Sequence, residues 1–157
     1  MSKELTIKEQ ATNFHTMNHI NLVQKKINKL ACELISRGED HDASKLSSPE
    51  VELFTEFTPK LAATTYGSEE YNEHLKNMGP ALAHHYANNR HHPDHFKNGI
   101  DDFNLLDLVE FFCDCASACQ RQNDGNLRKS IEINATRFNI NPQLVKILEN
   151  SIDLVEG

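Results

Sequence analysis

Apolar residues fall at Ile20, Val23, Ile27, Leu30, Leu34 and Ile35, a spacing of threes and fours that predicts one helix over 8–37. Gly38 follows and is expected to close that helix as a C-cap. Ser48-Pro49 pairs a capping residue with a first-turn proline and predicts a helix to about Thr65. Gly67-Ser68 opens the next, from Glu69 to about Asn77. Gly79-Pro80 interrupts it, and a further helix is expected from Pro80 to about Asn88. Residues 90–102 are rich in His, Asp, Asn and Gly and predict a loop. From Asn104 to about Arg121 the helical period returns, with Leu105, Leu108, Val109, Phe112 and Cys113 expected to face inward. Asp124-Gly125 marks a turn, 126–138 a helix, and Asn141-Pro142 starts a last helix to about Leu154. No strand-like alternation competes with this period, so the expected fold class is all-α.

A chain of 157 residues with 38% hydrophobic content predicts a single domain spanning 1–157. A net charge of -7 with no basic run argues against duplex nucleic acid as a partner. No stretch approaches membrane-spanning length, and Met1–Leu5 carries no apolar signal region, so a cytoplasmic setting is expected. In that setting Cys32, Cys113, Cys115 and Cys119 read as reduced, mostly core thiols.

The polar residues add a candidate chemistry. Nine histidines are present. His41-Asp42 lies 22 residues after His19, and His84-His85 is followed by the cluster His91-His92-Pro93-Asp94-His95. Imidazole and carboxylate are the ligands that first-row transition metals take when thiolate is not offered. His84 and His85 stand among small apolar residues, where two imidazoles need partners. Asp114 lies in an otherwise apolar run and needs a cation, a metal or a proton. Asp107, seven residues earlier on the same face, reads equally well as a helix-terminal charge.

The order His19, His41-Asp42, His84-His85, Asp114 resembles the HD superfamily of metal-dependent phosphohydrolases. The lysine three residues after the aspartate, in Asp42-Ala43-Ser44-Lys45, fits the same motif. The Ala-Leu-Ala-His-His stretch before a His- and Pro-containing loop resembles the third motif of two-metal subfamilies. The His-His-Pro-x-His loop is also similar to that of a family of small phage and bacterial proteins of unknown function. The likeness spans roughly 15–120, leaving 126–155 to complete the bundle or to form a homo-oligomer face. One departure is that Arg37-Gly38-Glu39-Asp40 replaces the usual apolar run before the His-Asp pair.

The resemblance implies an HD-like helical bundle. It implies a first metal on His19, His41, Asp42 and Asp114, with Asp42 bridging to a second on His84 and His85. One or two divalent ions (Mn, Fe, Co, Ni or Zn) would then activate water and neutralise phosphoryl charge. Catalytic or substrate-binding roles fall to Asp42, Lys45, Arg90, His91, His92 and His95, acting on a small phosphate ester such as a nucleotide. An HD-type di-iron oxygenase and a non-catalytic nucleotide-binding protein are the other expectations.

Overall fold

The computed structural model describes residues 4–64, 68–120 and 125–156, and every α-helix expected from the sequence is present. The expected boundaries at Thr65, Gly67, Arg121 and Asp124 lie outside the described residues. The helices are α1 (Ile7–Asp40), α2 (Glu50–Ala63), α3 (Glu69–Asn77), α4 (Gly79–Asn88), α5 (Leu105–Gln120), α6 (Leu127–Arg137) and α7 (Pro142–Asn150). Short 3-10 turns at Ala43–Leu46, Pro93–His95 and Gly99–Asp102 fill connections between helices, and another at Ile152–Leu154 follows α7. The described residues are therefore all-α. None of their helices is long and apolar enough to cross a membrane.

Contacts divide the chain into two compact units, Met1–Glu39 and Asp40–Gly157. The first is α1 up to its last residue. Gly38 does not end α1, which continues two residues to Asp40. A helical glycine costs only about 1 kcal/mol relative to alanine, and a long helix absorbs that. No residue of α1 is buried, and Phe14, Met17, Ile20, Val23, Ile27 and Leu30 are all exposed.

In the second unit the helix ends follow the capping residues. Ser68 accepts from the Tyr71 amide, Asn126 from Lys129, and Asn141 from Gln143 ahead of Pro142. Asn104 and Asp107 cap reciprocally. Asn104 Oδ1 accepts from the Leu106 and Asp107 amides, and Asp107 Oδ2 accepts from the Asn104 amide. At α2 the expected serine cap is replaced by backbone, with the Ser47 carbonyl accepting from Glu50 and Val51.

The main core gathers Phe111, Phe112, Cys115 and Ala116 of α5 with Leu127, Ile131, Ile140, Leu148 and Ile152. This puts residues 126–155 into the core, although Ile147 stays exposed. Leu105 and Cys113, expected inward, are exposed. The buried stripe of α5 runs instead through Asp107, Phe111, Phe112, Cys115 and Ala116. That leaves Glu110 and Asp114, one turn apart, on a different face. Gly125 packs against the Cys119 backbone so closely that a Cβ there would collide with its carbonyl.

Asp107 is fully buried and receives two guanidinium hydrogen bonds from Arg90, at 3.1 and 3.0 Å. Arg90 also lies over the Phe96 ring, 4.8 Å from its centroid. The pair ties the loop after α4 to the start of α5. Arg90→Ala strips a buried carboxylate of its guanidinium and is expected to cost about 3 kcal/mol in urea unfolding, leaving metal content unchanged.

Candidate metal centre

His41 and Asp42 follow the last residue of α1 and lead into the Ala43–Leu46 turn. Asp42 adopts the left-handed conformation (φ 56°, ψ 13°), which reverses the chain sharply. Its two carboxylate oxygens look in different directions. Oδ1 lies 3.3 Å from His85 Nε2 and 3.5 Å from His91 Nε2. Oδ2 lies 3.6 Å from His41 Nε2 and 2.6 Å from Lys45 Nζ. Around the first oxygen, His85 Nε2 and His92 Nε2 are 2.8 Å apart. Around the second, His41 Nε2 lies 3.7 Å from Asp114 Oδ1. Glu110 Oε1 stands 3.0 Å from both His41 Nδ1 and His91 Nδ1.

Three overlapping sets of potential ligand atoms result: Asp42 with His85, His91 and His92; His41 with Asp42 and Asp114; and His41 with His91 and Glu110. Two ligands sharing an ion through bonds of about 2.1 Å stand roughly 3.0–3.4 Å apart at octahedral or tetrahedral angles. The spacings around Asp42 fall close to that range. Asp42 Oδ1 and both ring nitrogens of His91 are buried and make no directional hydrogen bond. Such atoms cost about 1–3 kcal/mol each when left unsatisfied. A divalent cation among Asp42, His85, His91 and His92 satisfies Asp42 Oδ1 and His91 Nε2, while His91 Nδ1 faces Glu110 Oε1, so the donor set fits a metal.

The electrostatics match that fit. The Asp114 carboxylate, with further help from Glu110 and Asp42, outweighs burial and raises the His41 pKa to about 9. Burial, reinforced by His91 and His85, lowers His92 to about 3. Burial likewise lowers His85 and His91. Burial would raise Asp42 and Asp114, but Lys45 and His41 respectively hold them below the usual carboxylate value. Anionic Asp42 facing neutral His85, His91 and His92 is the state a metal binds, whereas His41 must give up a proton to become a ligand.

The remaining sequence candidates are placed differently. His19 sits on α1 in the first unit, exposed, and belongs to none of the three ligand sets. His84 turns Nδ1 to Glu50 Oε1 at 2.6 Å, and its Nε2 lies 3.3 Å from the Asn88 amide, so neither nitrogen joins the ligand sets. His95 Nδ1 donates to the Tyr86 carbonyl, which anchors the loop. Arg90 is held by Asp107 as described. His91 and His92, expected to act on substrate, stand among the potential ligands. Lys45 remains at the edge, held by Asp42 and 5.5 Å above Phe54. No cysteine joins the ligand sets among the described residues, and burial pushes the Cys115 thiol up to about 12.

Glu110 and Glu50 are the residues that the sequence reading passed over. Glu110 is one helical turn before Asp114, a spacing that places two carboxylates on one face. Glu50 follows a proline at a helix start, where acidic residues are ordinary.

Residues 8–154 match the family of unknown function DUF5662. The chain belongs to that family. No curated protein and no solved structure matches it. For this DUF5662 chain the donor set around Asp42 is therefore the guide to chemistry.

Proposed function

We propose that the chain is a metal-dependent phosphohydrolase of HD type, acting on a small phosphate ester such as a nucleotide. The observation that carries this reading is the carboxylate of Asp42. Its two oxygens face two different groups of potential ligands, and one oxygen is buried without a hydrogen bond. This is the disposition of a ligand shared by two ions.

His85, His91, His92 and Asp42 would hold one ion, and His41, Asp42 and Asp114 the other, with Glu110 beside both His41 and His91. A bound ion supplies an activated water and a positive field for phosphoryl oxygens. The protein's own groups do the rest. Lys45, 38% exposed at its side chain, offers an ammonium beside Asp42 for a non-bridging phosphate oxygen. Glu110, 3.0 Å from His41 Nδ1, keeps negative charge on the side of the ring away from Asp42 and Asp114 and orients it. The chain's net charge of -7 disfavours a polyanionic polymer and fits a small substrate drawn in by the metal field.

The test is elemental analysis of the purified protein, followed by phosphate release from a nucleotide panel with Mn, Co, Ni, Fe and Zn. One to two ions per chain and metal-dependent release are expected. A metal-loaded protein that releases no phosphate from any substrate would sink the hydrolase reading and leave a metal-binding protein. Oxygen uptake with a mixed-valent iron signal would replace it with an oxygenase.

A further inference from the structure

Glu50 is the first residue of α2 and is fully buried. An acidic residue at a helix start is mildly favourable on the surface. Complete burial of a carboxylate needs far more support. The support comes from two consecutive residues of α4: Glu50 Oε1 lies 2.6 Å from His84 Nδ1 and Oε2 lies 2.8 Å from His85 Nδ1. Consecutive helical residues point about 100° apart, so only a group lodged between them can accept from both. Burial would raise the Glu50 carboxyl, but the hydrogen bonds from His84, Ser44 and His85 outweigh it and hold it below its ordinary value.

The proton on His85 follows from the neighbours. The Asn89 amide nitrogen is 3.0 Å from His85 Nδ1, but it has two nearer acceptors, Ser44 Oγ at 2.7 Å and the His85 carbonyl at 2.8 Å. Its two hydrogens are thereby used. Ser44 Oγ lies 3.4 Å from Nδ1, well beyond Glu50 Oε2 at 2.8 Å, so Nδ1 carries a hydrogen and donates it to Glu50. Nε2 is left with its lone pair, pointing toward Asp42 Oδ1 and His92 Nε2.

We propose that Glu50 is a positioning residue of the metal centre: its carboxylate fixes the His85 ring and its Nδ1–H tautomer, so that Nε2 is the ligand nitrogen, with His84 as the outer arm of the clamp. This rests on the metal-centre reading above. It assigns adjacent histidines opposite duties, His85 to the ion and His84 to the carboxylate that orients it. Removing an outer partner of a ligating histidine weakens metal binding by roughly 10–100-fold.

Two measurements decide it. Long-range proton–nitrogen NMR of the wild-type protein, metal-free and Zn-loaded, reads the tautomer directly. Protonated Nδ1 and unprotonated Nε2 on His85 are expected, and an Nε2–H signal in the metal-free protein overturns the proposal even if no Glu50 variant folds. The second measurement is Zn affinity by chelator competition for wild type, Glu50→Gln and Glu50→Asp, with helicity as the folding check. A 10–100-fold loss in Glu50→Gln, partly restored in Glu50→Asp, is expected. Unchanged affinity in a folded Glu50→Gln overturns this inference alone. A wild-type protein that binds no metal overturns the metal centre itself, and the two failures are thus distinct.

Discussion

Asp42→Asn is expected to lose bound metal and phosphate release together while keeping its helical content. Asparagine keeps the side-chain shape and tolerates the left-handed backbone that Asp42 adopts, so the fold has no reason to change. What disappears is the negative charge between the two ligand sets. Loss of an outer partner already costs about 10–100-fold in metal affinity, and loss of a shared anionic ligand costs more. If the field of the ion contributes several kcal/mol to the barrier, activity falls by roughly a thousandfold or more. Elemental analysis, circular dichroism and phosphate release on one preparation check all three. Wild-type metal content in a folded Asp42→Asn protein would defeat the site assignment.

If the proposed centre is loaded, stripping its ion is expected to lower the melting temperature by about 5–10 °C. A ligand at a hundred times its Kd stabilises by about 2.7 kcal/mol, and a chain of this size gains roughly 2–4 °C per kcal/mol. The metal-free protein should also show a pH profile that the loaded one lacks. Unfolded histidines titrate near 6.5. In the folded state His41 is raised to about 9, whereas His85, His91 and His92 are lowered, His92 to about 3.

Well below pH 6.5 the unfolded chain binds a proton at each of these residues. The folded chain keeps the one on His41 and binds the others only at lower pH. Stability therefore rises with pH in this range. Between 6.5 and about 9 the unfolded chain binds none of these protons and the folded chain still holds one on His41, so stability falls as pH rises. Metal-free stability peaks near neutrality. A bound ion displaces the His41 proton, so the alkaline decline should be absent in the loaded protein. Urea unfolding from pH 4 to 10, with and without chelator, measures both limbs, and a chelated protein with a flat alkaline limb would contradict the environment assigned to His41.

The helices were legible because each begins or ends on a residue with a local preference. Ser68, Asn126 and Asn141 cap as their side chains dictate. Gly38 misled because propensity is a small term against the continuation of a 34-residue helix. At the site, His41-Asp42 and Asp114 were legible because a polar pair after a helix and a carboxylate in an apolar run are both conspicuous. The choice between His84 and His85 was not, since it depends on how α4 is rotated against α2. Ala81 and His85 are its buried residues, one turn apart, and that rotation turns His84 outward. Glu50 and Glu110 gave no signal because acidic residues on helices are mostly solvated. Only burial and distance separate them from Glu52 or Glu56.

The left-handed turn at Asp42 restricts what can ever stand there. The backbone readily accepts glycine, asparagine or aspartate. Anionic ligation accepts aspartate or glutamate. Aspartate alone satisfies both demands, so the chain's path and the site's charge are written in one residue: asparagine keeps the first and gives up the second, and glutamate does the reverse.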